Sequence, residues 1–256
     1  MGTEKEELPN LIYPFFISKK KKAMNVVITG GTQGMGRAIA EAFAKEGANL
    51  AITARTGADL LLTQQELAKD YPSSQIMTQV ADLSQPDQIK AFAEKVINTW
   101  GTVDVLVNNA GLFRTGAMLD EGEDQLEIMM AVNLYGPVKL TRYLAQALFA
   151  AEAAHIFNIC SVASQKYFPG SGSYSTTKYA LLGYTRALRE EWKEKGVKVT
   201  AVLPGATWSR SWDGSNVSPE RIMQASDVAQ AVVAAWKLPK TALMEELLLR
   251  PPLGDL

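Results

Sequence analysis

The chain has little of what builds disulfide or metal chemistry. Its 256 residues include one cysteine, Cys160, and one histidine, His155. A lone cysteine cannot close an internal disulfide, which points to a reducing, cytoplasmic setting. One histidine and one cysteine leave no zinc cluster, so no metal is expected. Charge is balanced, 26 Lys and Arg against 27 Asp and Glu for a net of −1, and gives no reason to expect nucleic-acid binding. No apolar run approaches the ~18 residues of a membrane span, and no membrane partner is expected. The remainder is ordinary in composition, 47% apolar and 21% charged, and suffices for one sizeable α/β domain without a second.

Residues 1–23 stand outside the pattern that follows. The apolar stretch Leu8 to Ile17 is short, holds Pro9 and Pro14, and is followed by Lys19 to Lys22, whereas a signal peptide carries its charges in front. We read 1–23 as a flexible N-terminal extension, a tag or an upstream start. Attachment of the lysine run to a surface or membrane is the alternative. Residues 24–256 read as one domain.

From Met24 onward strand-like and helix-like runs alternate, the pattern of a doubly wound parallel α/β sheet with helices on both faces. Strands are expected from Asn25 and over 48–54, 75–81, 103–107, 156–160, 197–203 and 246–249, about seven in all. Helices are expected from the glycine turn to Gly47, from a Thr56 cap (Asp59 completing the capping box) to Tyr71, from Ser84 and Asp87 to Gly101, and over 124–133, 137–151, 173–195 and 227–236. Gly30, Arg55, Asp82, Asn108, Ser161 and Pro204 fall at the C-terminal ends of successive strands, the edge at which open parallel sheets bind ligands.

The first strand leads into Thr29-Gly30-Gly31-Thr32-Gln33-Gly34-Met35-Gly36 and then a helix. Strand, glycine turn and helix bring backbone N–H groups and a helix N-terminus up to a phosphate. The G-x-G-x-x-G fingerprint fits in no register. The order is T-G-x-x-x-G-x-G, on Thr29, Gly30, Gly34 and Gly36.

Further on, Tyr174 and Lys178 lie four apart, on one helix face. That spacing is common, and Tyr135 and Lys139 repeat it with Pro137 between them. Context separates the two pairs: thirteen residues before Tyr174 is Ser161, at a strand end, whereas thirteen before Tyr135 is Gly122. A phenol beside an ammonium is a proton donor with a charge to tune it. A free phenol, with a pKa of about 10, exchanges protons poorly near neutrality. A cation at ~4 Å and an effective dielectric of ~20 favours phenolate by about 4 kcal/mol before desolvation is subtracted.

Asn133, Ser161, Tyr174 and Lys178, with the glycine turn, Asp82, Asn108-Asn109-Ala110-Gly111 and Pro204-Gly205 in that order, resemble the short-chain dehydrogenase/reductase family over about residues 24–250. The resemblance implies a Rossmann fold and an NAD(P)-dependent oxidoreductase. It makes Tyr174 the general acid in reduction and the base in oxidation. Ser161 would polarise the substrate oxygen, Lys178 would also hold the nicotinamide ribose, and Asn133 would anchor a water linking Lys178 to solvent. Cofactor contacts implied are Gly30, Thr32, Gln33, Gly34, Met35 and Gly36 in the turn, with Asp82 and Leu83 at the adenine. Asn109, Ala110 and Gly111 would follow along the ribose and diphosphate, and Pro204, Gly205 and Thr207 near the carboxamide. NAD-preferring relatives place an acidic residue where the second strand ends. Here the strand ends Thr53-Ala54-Arg55-Thr56, with no carboxylate before Asp59. The planar fork of Arg55 suits a 2′-phosphate and Thr56 adds a hydroxyl, which favours NADP(H) over NAD(H). Gln33 runs against this, since NADP-preferring members often carry a basic residue at that position.

The loop Ala206 to Asp213 is positioned to cover nicotinamide and substrate. Trp208, Trp212, Tyr167 and Phe168 would form an aromatic wall beside Ser161; equally, the tryptophans would pack a lid or a subunit contact. The loop is short for a steroid-sized lid, which favours a small or linear carbonyl compound. Three activities fit these residues. One is NADP(H)-dependent interconversion of a carbonyl and an alcohol. A second is 3-oxoacyl-carrier-protein reduction with an acyl carrier protein as partner, although the tail Leu249 to Leu256 lacks the usual glycine-rich ending. A third is a non-catalytic dinucleotide sensor, although such relatives commonly lose the tyrosine or lysine kept here. The resemblance also implies a homotetramer, otherwise a dimer, through helices at about 137–151 and 174–195. There Leu181, Leu182, Tyr184 and Leu188 suggest more apolar surface than one sheet face needs. Cys160 and His155 read as buried structural residues.

Overall fold

Alternation within the first strand sets the layering. Val26 and Ile28 of β1 (Asn25–Thr29) enter one apolar core and Val27 enters another, as in a strand covered on both faces. The computed structural model of the chain describes residues 24–209, 212, 214 and 216–255. The expectations for 1–23 lie outside the described residues. On one face α1 (Gly34–Lys45), α2 (Gly57–Asp70) and α7 (Ala225–Trp236) contribute Ile39, Phe43, Leu60, Leu67, Val228 and Val232. On the other, α3 (Pro86–Trp100), α5 (Gly136–Phe149) and α6 (Gly172–Trp192) contribute Ile89, Phe92, Leu140, Leu144 and Leu188. Each large side chain buried in this way stabilises the fold by about 1.5–3 kcal/mol relative to exposure.

The other strands are β2 (Asn49–Ala54), β3 (Ile76–Val80), β4 (Val105–Asn108), β5 (His155–Ile159), β6 (Lys198–Pro204) and β7 (Glu246–Leu249). They form one seven-stranded sheet in the order β3-β2-β1-β4-β5-β6-β7, every pair parallel. The chain winds outward from β1 to β3, then returns past β1 to lay down β4 on its other side. The strand order reverses between β1 and β4, and ligand crevices of open α/β sheets form at that point.

Local chemistry explains where the elements depart from expectation. α3 starts at Pro86, which has no N–H to leave unpaired at a helix start. Ser84 instead donates its amide to Asp82 Oδ1 at 2.8 Å, closing a turn before the helix. Thr56 occupies the N-cap position of α2, yet its side chain makes no capping bond. The two helices expected at 124–133 and 137–151 form one run: α4 (Gln125–Met130), a π-turn over Ala131–Tyr135, then α5. Pro137 cannot donate to the carbonyl of Asn133 four residues back, so the ordinary ladder cannot continue there. Leu181, Leu182 and Leu188 of α6 are buried within the chain, and Tyr184 packs on the same cores. The surplus apolar surface expected of them is therefore absent; what α5 and α6 expose is Tyr143 and Tyr179. No helix among the described residues is long and apolar enough to cross a membrane.

Candidate active site

The ends of β1 and β4 are stitched together at the switch point. Thr29 Oγ1 accepts from the amides of Asn109 and Ala110, each at 3.0 Å. Asn109 Nδ2 donates to the carbonyls of Thr29 and Gly30 at 2.9 and 3.0 Å. The Nδ2 group of Asn109 thus braces the glycine turn, while the residue itself lines the cleft. A Cβ on Gly36 would lie 2.2 Å from the Gly30 carbonyl oxygen, so α1 can begin this close to the turn only with glycine there. Gly34 adopts φ +53° beneath open space, with Ser209 alone within 4 Å of where its Cβ would be. The N-cap Gln33 gives no side-chain bond, which leaves the first-turn N–H groups of α1 for an anion.

A cleft of about 780 Å³ runs along this edge of the sheet. It is lined by Gly30, Thr32, Gln33, Gly34 and Met35 of the turn, by Arg55 and Thr56 after β2, and by Asp82 and Leu83 after β3. Asn109, Ala110 and Gly111 line it after β4, and Ser161, Tyr174, Lys178, Pro204, Gly205 and Thr207 also line it. Arg55 is exposed and has no ion pair among the described residues, unlike Arg37, which pairs with Glu41 at 2.7 Å and Glu66 at 2.8 Å.

Several expected residues lie off the wall. Gly36 sits under the turn and Asn133 behind it, fully buried. Tyr167 and Trp208 do not line the cleft; their neighbours Phe168 and Thr207 do. Thr207 and Trp208 lie in an extended segment bridged to Met223, where successive side chains point to opposite sides. Trp212 supplies the indole on the wall, its Nε1 donating to the Thr207 carbonyl at 3.0 Å.

The catalytic candidates are held by backbone. Lys178, 4% exposed, donates from Nζ to the Ile159 carbonyl at the end of β5 (2.8 Å), and Nζ lies 5.7 Å from the centroid of the Tyr174 ring. Ser161 opens a short 3₁₀ turn, its Oγ accepting from the Ala163 amide at 3.1 Å. Used there as an acceptor, that hydroxyl keeps its proton to donate into the cleft. Asn133 accepts from the Leu112 amide at 2.7 Å and donates to the Leu112 carbonyl and to Thr177 Oγ1, both at 2.9 Å. It thereby ties the loop after β4 to the helix of Tyr174. A side chain on Gly111 would start 3.5 Å from both Asn133 Oδ1 and Lys178 Nζ, a space glycine leaves open. Cys160 also borders the cleft, its thiol pushed up to about 11 by burial against the opposing pull of the Lys178 charge, and it stays a thiol at neutral pH.

Among the wall residues that sequence reasoning missed are Phe113, Thr115 and Asp255. Phe113 meets the Tyr174 ring edge-on at 4.8 Å. Asp255 reaches the cleft because the tail folds back, its carboxylate pairing with Arg250 at 2.7 Å while Arg221 donates to the Gly254 carbonyl at 3.1 Å. No local pattern announces either contact.

Residues 24–217 match the sequence model of the short chain dehydrogenase family. The chain is 33% identical over 243 residues to sepiapterin reductase of Chlorobaculum tepidum, covering 90% of this chain and 97% of that one. Among solved structures it resembles an alcohol dehydrogenase from the archaeon Thermococcus sibiricus complexed with 5-hydroxy-NADP, at 28% identity and a TM-score of 0.85 over 92% of this chain and 99% of that one. It also resembles a metagenomic short-chain oxidoreductase in complex with NADP, at 30% identity and a TM-score of 0.78 over 89% and 96% of the two chains. With the T-G-x-x-x-G-x-G turn at the switch point and a parallel seven-stranded sheet beneath it, the chain belongs to the short-chain dehydrogenase/reductase family of oxidoreductases.

Proposed function

We propose that the protein interconverts a carbonyl compound and the corresponding primary or secondary alcohol with NADP(H), Tyr174 serving as general acid and base. The observation that carries this reading is one cleft bordered at once by Ser161, Tyr174 and Lys178 and by the guanidinium of Arg55, which has no ion pair among the described residues. The glycine cradle and the free N–H groups at the start of α1 fit a diphosphate, and Arg55 with Thr56 fits a 2′-phosphate. The NADP-type ligands of the two similar structures support the same cofactor. When bound, the reduced nicotinamide supplies the hydride.

The rest of the chemistry falls to the chain. Ser161 donates to the substrate oxygen and orients the carbonyl. Tyr174 delivers its proton to that oxygen as negative charge develops on it, and the Lys178 ammonium stabilises the phenolate left behind. Lys178, Asn133 and the space over Gly111 form the route by which the proton is restored. In the oxidative direction each transfer reverses, with Tyr174 taking the alcohol proton.

The test is titration with NADPH and NADH, then a panel of simple ketones and aldehydes, sepiapterin and a 3-oxoacyl thioester, for wild type and Tyr174→Phe. Turnover with NADPH, lost by at least a hundredfold in Tyr174→Phe, is the expected result. Full activity in that variant would sink the mechanism. Preference for the thioester would put the carrier-protein reaction first, and binding without any turnover would restore the sensor. We also read the chain as a homotetramer, or otherwise a dimer, on the exposed Tyr143 and Tyr179 of α5 and α6; a monomer in sedimentation at micromolar concentration contradicts this.

A further inference from the structure

The first turn of α6 carries Tyr174, and its own cap does not serve it. Ser171 holds the N-cap position without a side-chain bond to the helix N–H groups. Its hydroxyl donates instead to the Phe168 carbonyl at 2.6 Å and pairs with the Ser175 hydroxyl at 2.8 Å. The missing cap comes from a distant part of the chain. Glu121 accepts from the Ser173 amide at 2.9 Å on one carboxylate oxygen and from the Ser173 hydroxyl on the other.

Glu121 lies at the far end of the loop that follows β4. That loop is fixed at its start by Asn133 on both polar groups of Leu112, and in its middle by Gly116, which accepts from Gly172 at 3.3 Å and donates to Gly170 at 2.9 Å. Between these points it carries Phe113 and Thr115 into the cleft. The approach is close enough to exclude side chains: a Cβ on Gly116 would lie 2.5 Å from Glu121 Cγ, and one on Gly172 would lie 2.7 Å from Met118 Cγ and 3.1 Å from Glu121 Oε1. A carboxylate at a helix N-terminus is favoured by the helix dipole, and bonds to an ionised acceptor are the stronger ones.

We propose that Glu121 is a positioning residue for Tyr174, which holds the first turn of α6 and the substrate-side loop in one arrangement by bidentate contact with Ser173. This rests on the proposed role of Tyr174. Within the acidic run Asp120-Glu121-Gly122-Glu123-Asp124, Glu121 is the member that reaches α6. The Ser173 hydroxyl, then its amide, holds the Glu121 carboxyl below the usual carboxylate range, so the contact is ionised at neutral pH.

The experiment compares Glu121→Gln, Glu121→Asp, Ser173→Ala and the double variant Glu121→Gln/Ser173→Ala in the full chain, with Tyr174→Phe as reference. A carbonyl turned over by wild type serves as substrate. Glu121→Gln is expected to lower kcat about tenfold, with the NADPH Kd within twofold of wild type. Ser173→Ala should lower kcat less, the double variant should be no worse than Glu121→Gln, and Glu121→Asp should recover part of the loss. Amide hydrogen exchange over residues 172–175 should speed up in Glu121→Gln and stay unchanged in the rest of α6. Unchanged kcat, losses that multiply, or unchanged exchange at 172–175 overturns the proposal. If wild type reduces no carbonyl, the reaction assigned to the site fails, and the exchange result still decides the positioning contact.

Discussion

Replacing Arg55 by Gln removes a planar cation while leaving a side chain of similar reach. Arg55 stands at the end of β2 on the wall of the cleft, exposed and with no ion pair to release among the described residues. A charge-assisted bond of guanidinium to phosphate contributes about 1.5–3 kcal/mol. At 1.4 kcal/mol per tenfold, the NADPH Kd should rise roughly 10- to 150-fold. NADH has no 2′-phosphate, so its Kd should move less than threefold. Quenching of intrinsic tryptophan fluorescence follows both titrations, with Trp212 on the cleft wall as reporter. Raising the salt concentration should weaken NADPH binding in wild type more than in the variant, since the contact lies at the surface. Equal losses for both cofactors would mean that Arg55 stacks on the adenine they share, and a wild type preferring NADH would refute the phosphate reading outright.

Two further outcomes follow from burial and close approach. Gly36→Ala should weaken NADPH binding at least tenfold and lower Tm by several degrees, because its Cβ meets backbone at 2.2 Å. Gly47→Ala, at φ +79° with nothing within 4 Å, should cost stability alone; an equal effect on NADPH would dismiss the close-approach argument. His155 is buried in β5 and its pKa falls to about 3, first through burial and then through the charge of Lys198. The unfolded chain therefore binds the extra proton between about pH 6.5 and 3, and stability present above that window is lost as pH falls through it, by at most about 5 kcal/mol. Urea unfolding of His155→Gln should lose less stability than wild type between pH 7 and 4, and parallel curves would refute the assignment.

The alternating elements were legible because a sheet buried on both faces demands short apolar strands, and Val26, Val27 and Ile28 supply them without a polar break. The turn, Ser161, Tyr174 and Lys178 were legible because strand ends and helix spacing are local. What failed was of another kind. The π-turn around Asn133 has no period of its own, so one run of helix was read as two. Tyr167 and Trp208 were each one residue from a side chain that does line the cleft, and at the Thr207–Met223 bridge one residue changes the face. Leu181 and Leu182 looked like surplus surface because nothing in α6 shows that Ala201 and Leu203 of β6 cover them. Phe113, Glu121 and Asp255 matter through contacts with chain tens of residues away.

Those long-range contacts explain how a site made of short motifs becomes rigid. An ammonium has three N–H donors. Lys178 gives one of them to the Ile159 carbonyl, which fixes the cation on the sheet and leaves two for the cleft. Those two remain for the roles implied for it on the cleft side: toward the phenol, toward a ribose and along the route that restores the proton. A guanidinium there would spread its donors in a plane and could not fill the three directions from one buried nitrogen. Tyr174 has the complementary problem: a phenol bonds through one oxygen, and its ring must be aimed by packing. Phe113 packs that ring edge-on, and Asn133 and Glu121 hold the loop of Phe113 to α6 at both ends. The acid and its cation share α6, one turn apart; the helix–loop junction steadies the turn of the acid and the sheet edge anchors the cation, and the geometry of the pair depends on both holding the same helix.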